Sequence, residues 1–169
     1  MFIVPTYSCN LKCSYCFEAK DRKESALPLK LMEKKKKKVE EDFTSYMEFC
    51  KKSKQGYPNN VKFHGGEATL LPAKDLLYLC RLWRDIANRV FGEKREKVYL
   101  NMVTNGVKLV EDKEYRDELY SDPSIVISMA VSFDLFSQPV RSPDISTSQF
   151  EEFFKWNYEK TGFRVGLLS

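Results

Sequence analysis

Short apolar runs alternate with long amphipathic stretches along this chain, and that alternation limits the folds open to it. The runs span residues 1–6, 60–63, 97–103, 125–133 and 163–168, with segments long enough for a helix between them. Antiparallel strands can be joined by a tight turn, but parallel ones need a crossover of a dozen residues or more. The spacing therefore predicts an α/β fold, strand then helix four times over, closed by a fifth strand in a parallel sheet. The run 125–133, IVISMAVSF, is the most strand-like. It is apolar on both faces, which predicts a central strand covered by helices.

The intervening segments carry helical signals. Met32, Val39, Phe43, Tyr46 and Cys50 recur at spacings of three, four and seven, so 29–52 reads as a helix. The run Lys34 to Lys38 interrupts that stripe, which predicts frayed or solvent-exposed first turns. Pro72 opens a second helix and Gly92 closes it, with Leu76, Leu79 or Cys80, Trp83, Ala87 and Val90 on one stripe. Residues 107–120 read as one short charged helix, and Asp122-Pro123 as a turn. Residues 137–146 form a loop rich in Ser and Pro. Ser148 and Glu151 stand at capping-box spacing ahead of a helix carrying Phe150, Phe153, Phe154 and Trp156.

A chain of 169 residues fits one domain, 1–169. No run approaches the roughly 20 apolar residues of a membrane span. The N-terminus, MFIVPTYSCNLKC, has no basic leader ahead of a long apolar stretch, so the expected location is the cytoplasm, with no membrane partner. A net charge of +4, from 28 Lys and Arg against 24 Asp and Glu, is too balanced for specific nucleic-acid binding. The run Lys34 to Lys38 reads as a solvated helix face or as a contact for an acidic partner.

Five cysteines cannot pair fully, and three of them, Cys9, Cys13 and Cys16, fall within eight residues. Cys50 and Cys80 stand alone in amphipathic stretches and read as small buried hydrophobes. A clustered trio without an export signal points to metal rather than to crosslinks. Structural zinc would need a fourth protein ligand, from Cys50, Cys80 or His64. A four-iron, four-sulfur cluster on three thiolates would instead keep one iron open to a substrate or cofactor.

A C-x3-C-x2-C loop directly after an N-terminal strand resembles the radical S-adenosylmethionine superfamily. Tyr15 matches the aromatic residue that the family places before its third cysteine, near the cofactor's adenine. The phrase PTYSCNLKCSYCF is most similar to the sulfatase-maturing and peptide-modifying branch, whose members carry C-terminal auxiliary-cluster domains. At the end of the second strand, His64-Gly65-Gly66-Glu67 resembles the family's Gly-Gly-Glu motif, which lines the site of the methionyl amino group. Glycines allow close backbone approach and a carboxylate suits an ammonium. His64 itself reads equally as a base or as a histidine bonded locally. Thr104-Asn105-Gly106 matches a family segment near the cofactor, or is an ordinary turn pair. Ser132 and Asp134, in Ser132-Phe133-Asp134, are implied ribose contacts. Arg141 would reach the cofactor carboxylate or lie in solvent. All of these stand at the carboxyl ends of successive strands, where parallel α/β folds bind ligands.

The resemblance implies a partial (β/α)6-type barrel, with a [4Fe-4S] cluster on Cys9, Cys13 and Cys16 and S-adenosyl-L-methionine as cofactors. It implies an oxidoreductase that cleaves S-adenosylmethionine reductively to methionine and a 5'-deoxyadenosyl radical. Hydrogen would be abstracted from a peptide or protein side chain, and flavodoxin or ferredoxin would donate the electron. Two residues depart from the pattern: Ala68 replaces the usual proline, and Leu135 a common glycine. About five strands stand where the family core has six, so the domain is expected to be incomplete at its C-terminus. The open edge would suit a second copy or a complementing chain. The alternatives are a non-catalytic iron-sulfur binding or partner module, and a zinc-stabilised α/β domain.

Overall fold

The computed structural model describes residues 2–13, 16, 33–133 and 145–168. Tyr15, Asp134, Arg141, the opening of the expected helix at 29–32 and most of the loop 137–146 lie outside the described residues. In chain order the elements are β1 (Phe2–Ile3), α1 (Glu33–Lys52), β2 (Asn60–Phe63), a 3-10 turn (Ala68–Leu70) and α2 (Ala73–Phe91). Then come β3 (Val98–Thr104), α3 (Val107–Glu111), α4 (Lys113–Leu119), β4 (Ile125–Ser132), α5 (Thr147–Thr161) and β5 (Gly166–Leu168).

The five strands are all parallel and stand in the order β1-β2-β3-β4-β5. Each strand pairs with the next in sequence, so right-handed crossovers carry every helix to the same face. The burial pattern records this. Val98, Leu100 and Met102 of β3 and Ile125, Ile127, Met129 and Val131 of β4 are buried, while Tyr99 and Ser128 on the other face are exposed. The expectation of two-sided cover for β4 is therefore corrected. Val126 and Ala130 are only half-buried, because a singly wound sheet has helices on one side. The architecture is α/β, a partial (β/α)-type barrel, and the face that carries no helix among the described residues is its interior wall. That wall carries Lys62, Asn101 and Ser128 side by side at one register level.

The core lies between the sheet and the helices. Phe43 and Met47 of α1 and Leu76, Cys80 and Trp83 of α2 pack beneath β2 and β3. The rings of Phe43 and Trp83 meet edge to face at 5.0 Å, and the Trp83 indole N–H donates to the Pro58 carbonyl at 2.7 Å. Phe150 and Phe153 of α5 are buried beside β4. Lys35, Lys37 and Lys38 of the lysine run are helical and exposed, as the broken apolar stripe predicts, and Lys38 pairs with Asp42 at 2.8 Å.

Three boundaries differ from the sequence expectation. The segment 107–120 is two helices, broken at Asp112, whose extended backbone lets its carboxylate accept the Tyr115 N–H and cap α4. The capping box of α5 is Ser146 with Gln149, two residues before the expected pair. Both pairs satisfy the spacing, and the earlier one takes the helix start. β5 is shorter than the expected 163–168 and exposed throughout. No helix among the described residues is long and apolar enough to cross a membrane.

Candidate active site

The cysteine loop lies against the carboxyl ends of β2 and β3 by continuing the β1–β2 pairing upward. The His64 N–H donates to the Ile3 carbonyl, Gly66 to Thr6 and Glu67 to Ser8, at 3.0, 3.0 and 2.8 Å. This contact explains both glycines. A Cβ on Gly66 would stand 2.2 Å from the Ser8 carbonyl oxygen, and one on Gly65 would stand 2.6 Å from Val4 Cγ1, with φ at +114° besides. Any other residue would push the loop away from the sheet.

Glu67 is 1% exposed and ties the neighbouring strand end to this loop. Its Oε1 accepts from the Thr69 N–H at 3.1 Å and from the Thr69 and Thr104 hydroxyls at 2.7 Å each, and its Oε2 accepts the Asn105 N–H at 2.7 Å. Four donors fill about all the acceptor positions a carboxylate has. A buried charge persists only when compensated in this way. The carboxylate is thus spent on the protein's own backbone and hydroxyls.

Asn105 continues the chain of bonds. Its Oδ1 accepts the Val107 N–H at 3.0 Å, and its Nδ2 donates to Asn10 Oδ1 at 2.7 Å and to the Cys9 sulfur at 3.8 Å. Gly106 turns the chain into α3 at φ +78°, with its N–H on Thr104 Oγ1 at 3.0 Å. Cys9 also accepts from the Leu11 N–H at 3.4 Å. Burial pushes its thiol up, and the charges of Glu67 and Cys13 add to that, while the bonds from Leu11 and Asn105 oppose it. A coordinated metal would override this balance by holding the thiolate outright.

Cys9, Cys13 and Cys16 are free and half-buried, and the Cys16 N–H turns back to the Cys13 carbonyl at 3.2 Å. Among the described residues no three His, Cys, Asp or Glu side chains converge into a metal-holding group. Three partly exposed thiols on one loop are nonetheless a donor set suited to a thiolate-held cluster. The same cannot be said of a fourth zinc ligand. Cys50 and Cys80 are buried in α1 and α2, and burial pushes the Cys80 thiol up to about 12. His64 Nδ1 accepts the Gly65 N–H at 2.7 Å, which is the locally bonded reading of that residue.

The sequence profile of the Radical SAM superfamily matches residues 3–159 of the chain. The chain belongs to the Radical SAM superfamily. No curated protein and no solved structure matches it. Within this radical SAM chain, Cys9, Gly65, Gly66, Glu67, Thr104 and Asn105 form one connected assembly at the tops of β1 to β3. Ser132 stands apart at the end of β4, half-buried and in register with Leu168.

Asn10 and Thr69 belong to the assembly and escape sequence reasoning. Thr69 could have been found, since a hydroxyl two residues after a carboxylate suits a local bond. Asn10 could not, because its partner is 95 residues away.

Proposed function

We propose that this radical SAM protein holds a [4Fe-4S] cluster on Cys9, Cys13 and Cys16 and uses it to cleave S-adenosyl-L-methionine reductively. The products would be methionine and a 5'-deoxyadenosyl radical, which abstracts hydrogen from a peptide or protein side chain. When bound, the cluster supplies one electron and an open iron for the amino and carboxylate groups of S-adenosylmethionine.

The observation that carries this reading is the joining of the cysteine loop to the ends of β2 and β3 through Gly66, Glu67 and Asn105. A loop held at the carboxyl ends of parallel strands lies where such folds bind their ligands. In this reading the Gly65-Gly66 segment lines the methionyl end through its backbone, while the space a Cβ would take is filled by the cysteine loop. Glu67 and Thr104 act from below, holding that backbone still rather than touching the ligand. Ser132 and Asp134 would take the ribose hydroxyls and Tyr15 the adenine. The cofactor chemistry is supplied by the bound groups, and the protein contributes orientation. The likeness of PTYSCNLKCSYCF to the sulfatase-maturing and peptide-modifying branch supports the substrate class. The electron donor would be a flavodoxin or ferredoxin.

A second reading, an iron-sulfur binding module that needs a partner, is favoured by β5. Leu167 and Leu168 are 55% and 45% exposed on an edge strand that pairs with β4 alone among the described strands, a place for a second copy or a complementing chain.

The test is 5'-deoxyadenosine formation by anaerobically reconstituted protein with dithionite and S-adenosylmethionine. The enzyme reading predicts product from the wild type and none from C9A, C13A or C16A. Cluster uptake without product would favour the second reading.

A further inference from the structure

Among the described residues, Asn105 joins a strand end directly to a cysteine sulfur of the loop. Three of its polar groups are committed at once. Its backbone N–H is held by Glu67 Oε2 at 2.7 Å, and its Oδ1 by the Val107 N–H at 3.0 Å. The orientation of the amide follows from the second bond. Turning it over would set an NH2 against the Val107 N–H, a repulsive contact in place of a bond. Nδ2 must therefore face the loop, where it reaches Asn10 Oδ1 at 2.7 Å and Cys9 Sγ at 3.8 Å.

We propose that Asn105 is a positioning residue of the cluster loop. One amide N–H sets the electronics of the cluster through the Cys9 sulfur, and the other, on Asn10, keeps the loop in place over β3. This rests on the cluster reading above and goes beyond it: Asn105 serves the cysteine side of the site. Reduction adds negative charge that is shared with the cysteine sulfurs, and a donor aimed at a sulfur stabilises it. Removing that donor lowers the reduction potential. The local bond from Leu11 remains in every variant, so the shift isolates the contribution of Asn105.

The experiment reconstitutes wild-type, N105S and N105D proteins anaerobically with iron and sulfide. It then measures iron content and the midpoint potential by redox titration followed by electron paramagnetic resonance. Serine and aspartate both keep an acceptor for the Val107 N–H and the backbone bond to Glu67; aspartate has no donor for the sulfur, and the shorter serine side chain sets its hydroxyl further from it. The potential is expected to fall from wild type to N105S and further in N105D, where a negative charge is added. Equal potentials at equal iron content would overturn the assignment while leaving the cluster reading intact. A wild type that takes up no iron would overturn both. Asn10 is exposed, so N10A offers a variant with little folding risk. It is expected to release iron to a chelator several-fold faster than wild type, and an unchanged rate would overturn the role of the Asn10 bond.

Discussion

The tops of β1 to β3 and the contact between β4 and α5 are held by different physics. At the tops of β1 to β3, the joints are polar and buried: Glu67 takes four hydrogen bonds, and the cysteine loop is pinned by backbone contacts too close for any Cβ. At β4 and α5 the joints are aromatic. Phe133 meets Phe150 at 5.1 Å and Phe154 at 5.9 Å, and Phe153 stacks with Trp156 at 6.2 Å. The two regions touch at Gly106, where a Cβ would stand 2.9 Å from Phe150. Apolar packing tolerates small shifts, whereas a saturated carboxylate fixes direction as well as distance. In the proposed reading, the polar joints at the strand tops lie where a cofactor would be held in register, and the aromatic contacts of β4 and α5 lie where stability alone is at stake.

Variants can break this contrast. The largest effect is expected for E67A, which strands the Thr69, Thr104 and Asn105 donors in a buried site and should cost about 3–5 kcal/mol. Urea unfolding of the apoprotein measures it, and iron uptake should fall with it. F150A should cost nearly as much, about 3–4 kcal/mol, yet leave iron uptake at the wild-type level in the fraction that stays folded. Loss of uptake in F150A alone would erase the distinction between the two regions.

G66A sharpens it. The added methyl must displace the Ser8 carbonyl, for about 1–3 kcal/mol, and the displaced loop should bind iron poorly even where the fold survives. A smaller effect is expected at Asp112, whose carboxylate is held below the usual range by the Lys108 ammonium and the Tyr115 N–H. A depressed carboxylate stabilises the fold above its unfolded pKa and loses that contribution as pH falls through the folded one. D112A should therefore cost about 1 kcal/mol at neutral pH and little in strong acid, as paired urea melts would show. L167K, on the exposed edge strand, should change stability by less than about 0.5 kcal/mol.

Much of the frame was legible in the residues themselves. The second strand at 60–63 and the helix between Pro72 and Gly92 stand where turn chemistry and periodicity put them. These are local signals, and local physics decides them. The one-sided burial of β4 was not legible, because an apolar run looks alike in a doubly and a singly wound sheet. The break at Asp112 was hidden by charged residues that suit one helix or two.

At the site, the cysteines and the Gly-Gly-Glu segment were visible as motifs, but the work of Glu67 was not. Its partners Thr104 and Asn105 are 37 and 38 residues away, and only the folded sheet brings them to the carboxylate. The glycines were readable as sites of close approach. That the approaching group is the cysteine loop's own backbone comes from the structure.

In the proposed function the cysteine loop is held in place to carry a cluster open to S-adenosylmethionine. Anaerobic reconstitution with iron and sulfide, with electron paramagnetic resonance of the dithionite-reduced protein with and without S-adenosylmethionine, tests it most directly. About four irons per chain are expected, with a spectrum that changes when S-adenosylmethionine is added. Zinc in place of iron, or a spectrum indifferent to S-adenosylmethionine, would contradict it.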